Sequence, residues 1–366
     1  MDDEFEHWTL HEDPSLQIKN KGENKDSFFD EIPEFDDEYI SLFKTFWYYN
    51  KNENKYNKNI QNRYNILTGD SINFQYKVLE KLGKGAFSNV YKVNDYKFDS
   101  VCALKVIRAE EIYIRQAFVE MNLLIRINHP NCLNVISVLK YLNTYAFILP
   151  LYKMTLYELI KNYNMGGIEN DAVKMYGKEI LQGLSYLNTQ DIIHGDLKPE
   201  NIMLTHNDKI KIIDFGSSFI AKGQIYTYIQ SRYYRAPEVT LGLKLTTSID
   251  VWSFICIIFE LLTGIPLFKV RNEEMLILRI VEFLNMPRDY LIINSKRKDD
   301  FFNYNKLNKE WSLNKKSKMT YEPGDRTITR YSLDNDFMIV CDSVIRWDSI
   351  DRCQPDELLK LNYFLS

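Results

Sequence analysis

The sequence predicts an α+β fold in two lobes, a small antiparallel β lobe followed by a larger α-helical lobe. Three observations carry that expectation. Short β-type runs at 76–82, 90–93 and 101–107 are separated by glycines or turn residues. A helical stretch over 115–127 then places Phe118, Met121, Leu124 and Ile125 at helical spacing, and Asn128-His129-Pro130 stops it. Beyond about Glu169 the texture is mainly helical, with Val173, Tyr176, Ile180, Leu181, Leu184 and Leu187 on one face of a long segment ending near Gln190.

Taken in order, residues 1–38 read as an acidic, largely disordered tail: fourteen Asp/Glu stand against three Lys/Arg, a balance of -11. It is a candidate partner-binding arm, or a mask for a basic groove. Residues 39–75 form a linking segment, in which the Asn/Lys-dominated run 51–62 reads as a solvated loop. The three strands and one helix of the small lobe follow. In the large lobe, 202–205 and 210–213 are two brief strands around a His206-Asn207-Asp208 turn. The most apolar stretch, 254–268, contains Glu260 and is shorter than the roughly 20 residues that span a bilayer, so it reads as a buried core helix.

Composition narrows the function classes. Of 366 residues, 45% are hydrophobic and 26% charged, as in an ordinary globular chain. Net charge is -4, so residues 39–366 carry 43 basic and 36 acidic residues, +7, too diffuse for a nucleic-acid surface. The five cysteines, Cys102, Cys132, Cys256, Cys341 and Cys353, are scattered and never form a CxxC pair, so neither disulfides nor zinc are expected. The acidic start lacks the basic and apolar regions of a secretory signal. The expected location is the cytoplasm, with the nucleus as the alternative, since the Lys/Arg clusters at 295–298 and 315–318 are weak nuclear signals.

The chemistry is carried by groups spaced along both lobes. Gly83-Lys84-Gly85-Ala86-Phe87-Ser88-Asn89-Val90 joins two predicted strands, and its glycines let backbone approach phosphates closely. Alone it is weak evidence, and Ser88 replaces the third glycine of the full motif. Ala103-Leu104-Lys105 lies on the next strand, with Glu120 on the following helix as the acid that would hold Lys105 against phosphates. The decisive run is His194-Gly195-Asp196-Leu197-Lys198-Pro199-Glu200-Asn201, followed by Asp214-Phe215-Gly216 and Ala236-Pro237-Glu238. Phosphoryl transfer needs phosphates held, their charge neutralised and an acceptor hydroxyl aligned. In this arrangement Asp196 can take the hydroxyl proton, Lys198 can neutralise the moving group, and Asn201 and Asp214 can offer oxygens to two Mg²⁺ ions.

On these motifs the chain resembles a eukaryotic protein kinase over residues 76–364, with a small lobe of about 76–150 and a large lobe of about 151–364. More narrowly it resembles the dual-specificity tyrosine-regulated (DYRK) kinases of the CMGC group. Tyr226-Thr227-Tyr228-Ile229-Gln230-Ser231-Arg232-Tyr233-Tyr234-Arg235-Ala236-Pro237-Glu238 matches that family's activation segment. Met286-Pro287 with Ser295-Lys296-Arg297 resembles its insert, and Trp347-Asp348-Ser349-Ile350-Asp351-Arg352 its closing motif, which implies an Arg352–Glu238 pair. The resemblance implies ATP and Mg²⁺ as cofactors and protein substrates with Ser/Thr acceptors, often before proline. It also implies autophosphorylation of Tyr228, and Arg232 and Arg235 are positioned in sequence to bind the phosphotyrosine.

Departures from the pattern are informative. Gly195 stands where many kinases carry an arginine that grips the phosphorylated loop. In the hinge, Leu149 aligns as gatekeeper, and adenine would bond to the Pro150 carbonyl and the Tyr152 backbone. Ile255 falls where glycine is usual, and Asp250 is the implied brace of the catalytic loop. A pseudokinase scaffold is the competing reading, disfavoured because Lys105, Glu120, Asp196, Asn201 and Asp214 are all present. The Ser-Arg-Tyr-Tyr-Arg run leaves the homeodomain-interacting kinases open as relatives.

Overall fold

A computed structural model describes residues 66–365, apart from 86, 143, 224, 225, 227, 315–318 and 332. The expected tail, the linking segment up to 65, Ala86 and the basic cluster at 315–318 lie outside the described residues. The fold is α+β, an antiparallel sheet followed by a mostly helical region. Among the described residues two compact units are present: one combines those up to Ile125 with Asn134–Leu151, the other Arg126–Leu133 with those from Tyr152 onward.

The first unit is a six-stranded antiparallel sheet in the order β1-β2-β3-β4-β6-β5. Its strands are β1 (Ser71–Ile72), β2 (Tyr76–Lys84), β3 (Ser88–Asp95), β4 (Ser100–Ile107), β5 (Ser137–Tyr141) and β6 (Thr144–Pro150), with α1 (Glu111–Arg126) between β4 and β5. Alternation explains the packing: on β3, Tyr91 and Val93 turn inward with Val78 of β2 and Leu104 of β4 to form one apolar cluster. On the other side of the sheet Met121 and Ala117 of α1 pack with Ile107 and Phe147. The helix begins at Glu111, four residues before the apolar spacing suggests. An acidic first turn and Arg126 in the last complement its dipole, signals that an apolar period does not register.

In the second unit the chain runs through β7 (Met154–Thr155), α2 (Leu156–Asn162) and α3 (Asn170–Thr189). Thr155 and Glu158 close a capping box at the start of α2. Four short strands follow, β8 (Ile192–Ile193), β9 (Ile202–Leu204), β10 (Ile210–Ile212) and β11 (Phe219–Ile220), with β9 and β10 antiparallel as the turn signal at 206–208 predicts. Then come α4 (Pro237–Leu241), α5 (Ser248–Thr263) and α6 (Glu273–Leu284). Helix α5 is the centre of the unit: Trp252, Phe254, Ile255 and Phe259 are wholly buried, each contributing about 1.5–3 kcal/mol by leaving water. Ile255, in place of the usual glycine, is therefore accommodated in the core. No helix among the described residues is long and apolar enough to cross a membrane.

Beyond α6 lie α7 (Asp289–Asn294), α8 (Lys298–Phe301), the hairpin β12 (Phe302–Asn305) and β13 (Glu310–Leu313), α9 (Asn335–Val344) and two short terminal helices. Glu282 anchors this region: its buried carboxylate accepts from Arg279, Arg326 and the backbone N–H groups of Thr320 and Tyr321. Burial raises its pKa, but these donors outweigh burial and hold it below the ordinary value. Arg352 reaches Glu238 through two bonds of 2.6 and 2.7 Å, both side chains essentially inaccessible, which is the pair that the closing motif implied.

Candidate active site

In the first unit, the β2–β3 turn carries the glycine-rich run. Gly85 N–H donates to the Ser88 carbonyl at 2.8 Å, and Phe87 packs against Tyr113 of α1 at 5.3 Å between ring centroids. A Cβ added at Gly83 would meet no atom within 4 Å, so protein packing does not demand glycine there. The open side suits a ligand that must lie close to backbone. Ala103 is buried on β4, and Val90 of β3 lies opposite Lys105 in register. Lys105 Nζ donates to both oxygens of Glu120 at 2.7 and 3.0 Å, with side-chain exposures of 13% and 5%. Leu149 and Pro150 end β6, where Pro150 pairs with Cys102.

The second unit holds the catalytic-loop residues. Asp196 is fixed on both oxygens: Oδ1 accepts from the Ser231 backbone N–H at 3.0 Å and its hydroxyl at 2.8 Å, and Oδ2 from Lys198 at 2.7 Å and Asn201 Nδ2 at 3.3 Å. Burial works to lower the Lys198 pKa, but Asp196, with help from Glu200 and Asp214, outweighs it and raises the value. Asn201 also donates to the Asp196 carbonyl at 2.8 Å, which commits its amide nitrogen and leaves its oxygen as the acceptor end. Asp214 is exposed in a left-handed conformation (φ 62°) immediately before the single turn Phe215–Ser217, whose Phe215 is wholly buried. Among the described residues no three His, Cys, Asp or Glu side chains form a metal cage. Mg²⁺ needs none, because it is ordinarily held by one or two protein carboxylates plus phosphate oxygens and water. The oxygen donors of Asp214 and Asn201 fit that requirement.

The loop is braced from beneath. Asp250 of α5 accepts from the N–H groups of His194 and Gly195 at 2.6 and 3.1 Å. Burial raises the Asp250 pKa, opposed by His194 and those two bonds. His194 Nδ1 accepts from Asp196 N–H, so Nε2 is the nitrogen that donates to the Ile213 carbonyl at 2.9 Å. Gly195 has φ 77°, and a Cβ there would sit 2.6 Å from the Ser217 carbonyl oxygen. In this backbone conformation any side chain at 195 would be strained and would force the Ser217 backbone to shift.

The activation segment departs from a plain loop at Gln230, a buried residue with φ 62°. Its side chain donates to Ile249 O and Ser253 Oγ and accepts from Ala236 N–H, while its own carbonyl accepts Arg235 Nε and Nη2 at 3.1 and 2.8 Å. Arg235 also lies 5.2 Å from the Tyr228 ring centroid. Arg232 instead donates to the Arg271 carbonyl at 2.8 Å. Tyr228 is 53% exposed, whereas Tyr226 packs edge-on against Phe219 and burial raises its pKa. Tyr152 follows the first unit's last strand; burial pushes its hydroxyl up to about 12. Ser231, Gln230 and Glu273, which the motifs did not single out, are the residues through which Asp196 and Arg235 are held. Ser231 is adjacent to the quoted arginines, but no spacing rule links it to a residue 35 positions away.

The description "Protein kinase domain" matches residues 76–364. The chain is 36% identical to dual specificity tyrosine-phosphorylation-regulated kinase 2 of Drosophila melanogaster, covering 87% of this chain and 47% of the relative. It is 36% identical to kinase 4 of the same series from Homo sapiens, covering 80% and 58%, and 41% identical to kinase 3 from Mus musculus, covering 64% and 41%. The chain thus spans about half the length of the curated relatives it matches. With the glycine turn, the Lys105–Glu120 pair, the Asp196 assembly and the Asp-Phe-Gly turn in place, the chain belongs to the protein kinase family, among the dual-specificity tyrosine-phosphorylation-regulated kinases.

Proposed function

We propose that this chain is an ATP- and Mg²⁺-dependent protein kinase that phosphorylates Ser/Thr before proline and autophosphorylates Tyr228. The observation that carries the transfer reading is the Asp196 carboxylate, oriented by four donors yet 17% exposed. In the proposed step the acceptor hydroxyl gives its proton to Asp196, its oxygen bonds to the γ-phosphorus, and the bond to the departing ADP oxygen breaks. Lys198 neutralises charge beside the transfer, and Lys105, kept in place by Glu120, holds the nucleotide phosphates. Bound between Asp214, Asn201 and phosphate oxygens, Mg²⁺ would supply charge neutralisation.

Proline direction rests on Gln230. Its carbonyl is turned to Arg235 and so is committed within the chain. A substrate residue whose N–H must be satisfied here is penalised, whereas proline has no N–H to leave unpaired. Exposure supports Tyr228 over Tyr226 as the tyrosine modified, and a phosphate there adds nearly two negative charges close to Arg235. None of the ten prolines of this chain follows Ser or Thr, so proline-directed activity would spare the chain itself. Mass spectrometry of chain made in bacteria, beside an Asp196→Asn control, tests both parts. Phosphate on Tyr228 in the wild type only, with transfer to Ser-Pro peptides, is the expected result. An unmodified chain with no transfer to any peptide would overturn the reading in favour of a scaffold.

A further inference from the structure

Glu273 opens helix α6, and each of its carboxylate oxygens takes a different arginine. Oε1 accepts from Arg235 Nη1 at 2.5 Å and Oε2 from Arg297 Nη2 at 2.8 Å. Arg235, with a side chain only 5% exposed, spends its other nitrogens on the Gln230 carbonyl. One guanidinium therefore ties the left-handed turn of the activation segment to α6. Arg297 is itself secured, with Nε on Asp300 and Nη1 on the Thr240 carbonyl. The carboxylate also sits in the first turn of α6, where the helix dipole favours negative charge.

We propose that Glu273 is a positioning residue: a permanent counter-anion that keeps Arg235 on the Gln230 carbonyl without any phosphate, with Arg297 holding Glu273 in place. Its functional consequence rests on the proline-directed reading above. A buried guanidinium that loses its carboxylate partner, for Arg235 the one it has among the described residues, is strongly destabilised where it lies. Arg235 then moves toward solvent and releases the Gln230 carbonyl. The freed oxygen can accept from the N–H of a substrate residue other than proline, so discrimination falls. The phosphate on Tyr228 becomes a second anion for a guanidinium already in position, rather than the event that assembles the turn.

The test compares full-length wild type, Glu273→Gln and Arg297→Met in two measurements. One is the ratio of kcat/KM for a Ser-Pro peptide and its Ser-Ala twin, which is insensitive to the folded fraction because both peptides meet the same molecules. The other is amide hydrogen exchange across 228–236. Glu273→Gln is expected to lower the ratio about tenfold, the order of one hydrogen bond to a charged group, chiefly through a lower KM for the Ser-Ala peptide, and to speed exchange. Arg297→Met should act in the same direction more weakly, and it serves alone if Glu273→Gln does not fold. Unchanged exchange overturns the proposal, as does faster exchange with an unchanged ratio in a selective enzyme. If the wild type does not prefer proline, the proline-directed reading fails, and exchange alone decides whether Glu273 holds the turn.

Discussion

Each unit holds a lysine–carboxylate pair, and the two are built in opposite ways. Lys105 and Glu120 are 15 residues apart, on a strand and a helix, and meet only while α1 is packed on its sheet through Met121 and Ala117. Lys198 and Asp196 are two residues apart in one loop, and that loop is bolted to α5 through Asp250. The first pair reports the position of a helix and is the one that a conformational change can break. The second persists as long as the large-unit core is folded. The local pair suits the proton acceptor proposed above, whose geometry tolerates little error, and the distant pair suits the proposed phosphate-holding role of Lys105.

The largest break in this comparison is Asp196→Asn, which removes the proposed base and the carboxylate bonded to Lys198. Transfer to peptide should drop by about 10³-fold with an unchanged melting profile, read by steady-state assay and calorimetry. Among the described residues, no lysine is bonded to the Glu260 carboxylate. Buried in α5, it accepts from the Tyr234 hydroxyl at 2.6 Å, and burial lifts its pKa to about 7, aided by Glu200. Because the folded chain keeps that proton where the unfolded chain has lost it, stability falls as pH rises from the ordinary glutamate range through 7. Glu260→Gln should abolish this contribution, gaining on the wild type by about 3 kcal/mol between pH 4.5 and 8 in denaturant melts.

Smaller effects sharpen the contrast. Glu120→Gln keeps the shape of α1 but weakens the distant pair, so KM for ATP should rise about tenfold while the melting temperature stays put. An equal loss in kcat at constant KM would make Glu120 more than a holder of Lys105. Ser231→Ala leaves the backbone N–H bond to Asp196 but removes the hydroxyl's bond to Asp196 and the bond the hydroxyl accepts from Lys198 at 3.1 Å. Its cost should be about tenfold in kcat, the order of two ordinary hydrogen bonds, and a loss as large as that of Asp196→Asn would show that the loop alone does not orient the Asp196 carboxylate.

How much of this was legible varies with sequence distance. Three of the six strands of the first unit, the long helix α3 and the buried α5 follow from period and turn residues, with ends that move by a few positions; the strands at 71–72, 137–141 and 144–150 carry no comparable signal. The Lys105–Glu120 pair and the Asp196–Lys198–Asn201 cluster were legible as candidates because phosphoryl transfer calls for those residue types in that order along the chain. Ser231 and Glu273 were not: a serine beside arginines and a glutamate at a helix start are common, and only their partners, 35 and 38 residues away, distinguish them. Arg232, whose place in the motif suggests a phosphotyrosine contact, also donates Nη1 to the Arg271 carbonyl, a bond the motif gives no sign of.

By itself the sequence determined which chemical groups are present and which lie on the same local element. Lys198 falls within reach of Asp196 because two residues of loop cannot carry it elsewhere, and Tyr228 precedes its arginines by less than two turns' worth of chain. Only the tertiary structure decided the direction of the Gln230 carbonyl. A left-handed glutamine costs on the order of 1–2 kcal/mol, and no local rule would choose it. It is held because its amide is satisfied by Ile249, Ser253 and Ala236 and its carbonyl by Arg235, which Glu273 anchors in turn. Those partners come together only when α5 and α6 are packed, so the direction of that carbonyl belongs to the fold.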